Sequence, residues 1–78
     1  MSCLNRKNKY LVELGKKIKQ ARKDKGLSQE QLALKAEIDR SYMGGIERGE
    51  RNITFLTLVK IAKCLQCEVS NLCDGIPS

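Results

Sequence analysis

Leu27-Ser28-Gln29-Glu30-Gln31-Leu32-Ala33, followed within a turn by Arg40-Ser41-Tyr42-Met43-Gly44-Gly45-Ile46-Glu47-Arg48-Gly49, holds two short helical patterns almost touching in sequence. Ser28 is a cap for the first: a hydroxyl there accepts from a backbone N–H two or three residues on, and Gln31 completes a capping box. Leu32, Ala33 and Ala36 give that helix an apolar face. A second start follows at once, with Asp39 or Ser41 as cap and Met43 and Ile46 as the buried pair. Gly49 supplies the left-handed residue that ends it. Helices this short are unstable alone. Joined by a turn around Glu37-Ile38-Asp39, they read as a helix-turn-helix, whose second helix enters the DNA major groove.

The flanking sequence reads as three further helices. Residues 1–8 are expected to form a polar, flexible basic arm, with the folded domain at 9–78. Tyr10 to Lys25 reads as a long first helix, with Leu11, Leu14, Ile18 and Ala21 on one face and Gly26 as its stop. Thr54 caps a fourth helix from Phe55 to about Leu65, apolar over most of its girth. Ser70 is expected to cap a short last helix through Leu72 and Cys73, ended by Gly75, with Pro77 preventing extension. Nothing favours strands, so the predicted fold is all-α with five helices.

The net charge of +6 is unevenly placed. Residues 1–26 carry nine Lys and Arg against Glu13 and Asp24, whereas the remaining residues carry six bases against seven acids. A basic segment beside a helix-turn-helix suits a polyanion. Taken alone, it is also what a solvated lysine-rich helix face looks like. No apolar run approaches the ~18 residues of a membrane span, and no signal-peptide core follows Met1, so a cytoplasmic protein with reduced thiols is expected. There is no histidine, which removes histidine-based acid–base catalysis and metal ligation. No nucleophile has a base beside it, and an enzyme is not expected.

Ser28-Gln29-Glu30-Gln31-Leu32-Ala33, Ile46-Glu47-Arg48-Gly49 and Val69-Ser70-Asn71-Leu72 together resemble the Xre/lambda-repressor (Cro/C1-type) helix-turn-helix family, over roughly residues 11–75. More narrowly, Asp39-Arg40-Ser41-Tyr42 leading into Gly45-Ile46-Glu47-Arg48-Gly49 and Arg51-Asn52 is similar to the controller proteins of restriction-modification systems. The resemblance implies a lambda-repressor-like domain that binds double-stranded DNA as a homodimer on a palindromic operator. It implies an autoregulatory regulator without a sensor domain, so neither small-molecule ligand nor cofactor is expected. A general phage-type or chromosomal repressor is the near alternative, and a thiol- or metal-sensing regulator the distant one.

The site residues follow from both arguments. Arg40 opens the reading helix, where a guanidinium reaches guanine O6 and N7. Ser41 either caps or contacts DNA; Tyr42 either packs on the domain or, as the resemblance implies, faces DNA. Gly44 and Gly45 each cost about 1 kcal/mol in a helix interior, so the backbone there must be closely approached, by a groove wall or by the preceding helix. The resemblance puts Gln29, just after Ser28, on a phosphate at a helix N-terminus that itself favours anions. Arg48, Arg51 and Asn52 are expected to grip the backbone, which sets register rather than sequence preference. Arg22 and Glu47 match a family salt bridge; without the resemblance, an unpaired, exposed Arg22 is an equal reading. Phe55, Leu58, Leu72 and Ile76 are candidates for the dimer face.

Cys64-Leu65-Gln66-Cys67, with Cys73 and Cys3, offers four thiols that could hold zinc. The first, second and third of Cys64, Cys67 and Cys73 fall where the family places small or aliphatic core residues, and Cys3 on the arm is a poor fourth ligand. Structural packing is therefore the expected role, and no metal is expected.

Overall fold

The computed structural model describes residues 8–77, which form five helices and, among these residues, no strand. They are α1 (Lys9–Asp24), α2 (Gln29–Ala36), α3 (Arg40–Glu47), α4 (Phe55–Leu65) and α5 (Val69–Leu72). Each start is fixed by a side chain. Asn8 accepts from the Tyr10 N–H at 2.8 Å and so belongs to α1 as its cap; the rest of the expected arm lies outside the described residues. The Ser28–Gln31 capping box is complete, with Ser28 Oγ accepting from the Gln31 N–H at 3.0 Å and Gln31 Oε1 from the Ser28 N–H at 2.7 Å. At α3 the cap is Asp39 rather than Ser41: its Oδ2 accepts from the Ser41 N–H at 3.0 Å and the Tyr42 N–H at 3.3 Å. Thr54 caps α4 through the Thr57 N–H at 3.1 Å.

The first four helices stop in the same way. A residue in the left-handed region turns the chain, and the next N–H reaches back five residues to a helix carbonyl. The turning residues are Gly26, Glu37, Gly49 and Gln66, with φ of 73°, 58°, 78° and 57°. The closing bonds run from Leu27 to Arg22, Ile38 to Ala33, Glu50 to Gly45 and Cys67 to Ala62, at 2.8–3.1 Å. Glycine makes two of these stops legible in sequence; Glu37 and Gln66 give no such signal.

At α5 the expected cap is corrected. Ser70 lies inside the helix, and Glu68 is the N-cap, its N–H donating to Asn71 Oδ1 at 3.2 Å. The helix is over at Leu72, five residues before Pro77, so the turn through Gly75 ends it without help from the proline.

Ile18, Leu32, Met43, Ile61 and Leu65 are the largest fully enclosed side chains, and they come from α1, α2, α3 and α4. No single helix has an interior of its own; the core exists only when all four meet. Leu58 and Leu72 belong to this core, 6% and 2% exposed, and are therefore withdrawn from the expected dimer face. Phe55 and Leu56, by contrast, stand 66% and 73% exposed at the start of α4.

The backbones of α1 and the end of α3 approach closely. A Cβ on Gly15 would lie 2.6 Å from the carbonyl oxygens of both Ile46 and Glu47, and one on Gly49 2.6 Å from Val12 Cα. Gly15 sits mid-helix, where alanine would favour the helix by about 1 kcal/mol. Backbone oxygen cannot move aside as a side-chain tip does, so the clash outweighs that gain. Gly15→Ala is expected to destabilise the protein by about 1–3 kcal/mol net, read as a lower urea midpoint with an unchanged slope.

Candidate nucleic-acid interface

The reading helix is held from behind by a buried charge pair. Arg22 on α1 donates Nε to Glu47 Oε2 at 2.7 Å and NH2 to Oε1 at 3.0 Å, a two-pronged contact. Its remaining nitrogen NH1 donates to the Leu27 carbonyl at 2.8 Å. Arg22 and Glu47 are 8% and 7% exposed. Charges so enclosed are tolerable only when paired and fully hydrogen-bonded. That condition is met, since no buried side-chain nitrogen or oxygen among the described residues lacks a partner.

Gln29 joins the pair. Its amide Nε2 donates to Glu47 Oε1 at 3.0 Å, so the side chain expected at a phosphate is committed inward. One carboxylate at the end of α3 thus ties down α1 and the start of α2. Ser28 is likewise occupied, both its hydroxyl and its N–H being paired with Gln31.

On the outward side of α3, Arg40 and Ser41 are exposed in the first turn and Tyr42 is half-buried. Both glycines are buried, and Gly44 is approached by Gln29 of the preceding helix, one of the two surfaces expected for it, as well as by arginine. A Cβ on Gly44 would lie 3.0 Å from Arg48 NH1 and 3.3 Å from Gln29 Oε1, and one on Gly45 2.7 Å from Arg51 Cγ. Arginine side chains from the end of α3 and the loop beyond it therefore lie against bare helix backbone. Arg51 continues over the Tyr42 ring, its Cζ 5.9 Å from the centroid, at the limit of a cation–π contact. Arg48 Nε pairs with Glu50 Oε1 at 3.0 Å in an exposed salt bridge, a site residue the sequence reading passed over. Asn52 is exposed in the same loop.

The other basic residues are more dispersed. Lys16, Lys19 and Lys23 are exposed along α1, while Lys25 donates to Gln66 Oε1 at 3.0 Å at the far end of α4. Cys64, Cys67 and Cys73 are half-buried against the core rather than enclosed by it. Burial pushes the Cys67 thiol above its ordinary range, with the nearby Lys25 ammonium pulling weakly the other way. Cys3 lies outside the described residues, among which no group of three or more metal-ligating side chains is gathered. No helix there is long and apolar enough to cross a membrane.

Removing one member of the charge pair leaves the other buried and uncompensated. Glu47→Ala is expected to destabilise by about 3–5 kcal/mol in denaturant unfolding. The double variant Arg22→Met, Glu47→Leu should recover part of that loss but not all, because the Leu27 carbonyl and the Gln29 amide also lose partners. An additive loss in the double variant would contradict the pairing.

Comparison with known proteins adds to this geometry. The helix-turn-helix family model matches residues 18–72. The control protein C.MunI of Mycoplasma sp. is 39% identical over 70 residues, covering 88% of this chain and 95% of its own. The crystal structure of the restriction-modification controller protein C.AhdI from Aeromonas hydrophila superposes with a TM-score of 0.82 at 43% identity, over 83% of this chain and 98% of that one. The biofilm master regulator SinR, solved in complex with DNA, superposes at 0.75 with 40% identity, over 78% of this chain and 98% of that one.

Proposed function

The chain belongs to the helix-turn-helix family, and on that premise we propose that it is a DNA-binding transcription regulator, a controller of the restriction-modification type that binds a palindromic operator as a homodimer. The observation that carries the reading is the side of α3 that presents exposed Arg40 and Ser41 in its first turn and, further along, exposed Arg48 and Arg51 laid over the buried Gly44 and Gly45. Such a face offers long donors at one end for base edges and cations at the other for phosphates. The buried Arg22–Glu47 pair behind it fixes the angle of presentation. Gln29 contributes chiefly by holding Glu47. The N-terminus of α2 beside it still offers unpaired first-turn N–H groups and a favourable dipole to a phosphate.

A more general repressor is the second reading, favoured by the likeness to SinR. Both readings use the same surface; they differ in the genes beside the bound site. Selection of duplexes from a random pool by the purified protein, followed by sequencing, tests the common claim and supplies the operator. No enrichment at low salt would end both readings.

Arg40 and Arg51 are assigned different work. Arg40→Ala is expected to cost about 1–3 kcal/mol on the selected operator and to relax preference at one base pair per half-site. Arg51→Ala should weaken selected and scrambled duplexes alike and flatten the fall of affinity with salt. Equal loss of discrimination in both variants would refute the division.

For the dimer, the apolar start of α4 is the proposed contact, through Phe55 and its neighbour Leu56, with the half-buried Ile76 beside the core as a third candidate. Two adjacent large apolar side chains so exposed are unfavourable in a lone domain. An isologous contact would present both reading helices to half-sites about one helical turn apart. Sedimentation should give a dimer at micromolar concentration and a folded monomer for Phe55→Asp, Leu56→Asp. A monomeric wild type would overturn this, whereas Leu72→Asp would only disrupt the core.

A further inference from the structure

Two glycines in the middle of an eight-residue helix need a reason. Each weakens a helix that already depends on its neighbours, and neither adopts a backbone conformation that requires glycine. What they share is an overlying arginine. The two are not equivalent, however. At Gly44 the nearest overlying atom is NH1, the tip of the Arg48 side chain, which can swing away. At Gly45 it is Cγ of Arg51, close to the backbone, with Nε at 3.2 Å and Cδ at 3.5 Å strung along the same spot.

The chain reaches that position by a fixed route. Gly49 turns in the left-handed region, and the Glu50 N–H closes on the Gly45 carbonyl at 2.8 Å. The next residue, Arg51, is thereby delivered directly over Gly45, from where its guanidinium reaches the Tyr42 ring. A methyl group at residue 45 would occupy the path of the side-chain stem, and the only remedy would be to rotate the whole side chain off the helix.

We infer that Gly45 is a positioning residue: its missing side chain is the bed in which Arg51 is laid flat against α3 and stacked on Tyr42, ready for a phosphate before DNA arrives. This deepens the DNA-binding reading and rests on it for its consequence, though not for its geometry. A side chain ordered in advance loses less freedom on binding, and such ordering is worth about a three- to tenfold gain in affinity. The same substitution that improves the helix therefore impairs the grip.

Gly45→Ala in the full chain tests this in two arms. In the free protein, NMR should show the Arg51 side-chain protons losing the ring-current shift that Tyr42 imposes, while the urea midpoint stays equal or rises. Unchanged Arg51 shifts would overturn the inference whatever happens with DNA. On the duplex recovered by selection and on a scrambled duplex, affinity should fall about three- to tenfold alike. In an Arg51→Ala background, Gly45→Ala should then change affinity less than about twofold, because the residue it acts through is gone. If the loss persists undiminished there, the methyl group is obstructing DNA itself and the inference fails. If the wild type binds neither duplex, the DNA-binding reading fails, and the NMR arm alone decides the geometry.

Discussion

A guanidinium and a carboxylate withdrawn from water between α1 and α3 are the constraint on which the rest of the molecule depends. Taking two such ions out of solvent carries a penalty of several kcal/mol per ion, and an imperfect pairing does not recover it. The Arg22–Glu47 pair meets the requirement by engaging every guanidinium nitrogen: two on the carboxylate, one on the Leu27 carbonyl. Glu47 in turn takes Gln29. The result is that α1, the start of α2 and the end of α3 cannot move independently without leaving a charge unpaired in the interior. For a domain with so small an apolar core, this supplies direction where hydrophobic contact supplies only cohesion.

The close crossing of α1 and α3 follows from the same geometry. Arg22 reaches Glu47 with both prongs where the helix backbones nearly touch, which Gly15 and Gly49 allow. Glycine's usual penalty in a helix is offset here by the contact it permits. Gly44 and Gly45, also in α3, lie beneath the Arg48 and Arg51 side chains. Glycine thus enables two kinds of contact around α3: one with α1, one with the arginines that follow the helix.

Placing cations on bare backbone also bears on how such a surface meets a polyanion. A long arginine free in solvent samples many rotamers, and each must be given up on binding. Arg51, resting on Gly45 and the Tyr42 ring, has fewer to lose. Arg48 is held by an exposed carboxylate at Glu50, an interaction worth little by itself but placed where a phosphate would compete for the same guanidinium. Both arginines of the proposed interface are thus already in contact with the protein's own scaffold.

What the sequence determined by itself was the local architecture. Capping residues and apolar spacing act within four or five positions, so Ser28, Thr54, Gly26 and Gly49 marked helix ends correctly, and α4 could be read from Phe55 to Leu65. The error lay at α5, where Ser70 was expected as the cap and Glu68 holds that position; the left-handed residues Glu37 and Gln66 closed helices whose ends were placed correctly but gave no signal of their own. The Arg22–Glu47 pairing, equally consistent with an exposed arginine on residue grounds, came only from resemblance. Tertiary structure alone decided the rest. It sent Leu58 and Leu72 inward and left Phe55 and Leu56 in solvent, turned Gln29 to Glu47, and covered Gly44 and Gly45 with arginine. The reason is physical: which face of an apolar helix is buried, and which acceptor an amide finds, depend on groups brought near by folding. No pattern within one helix contains them.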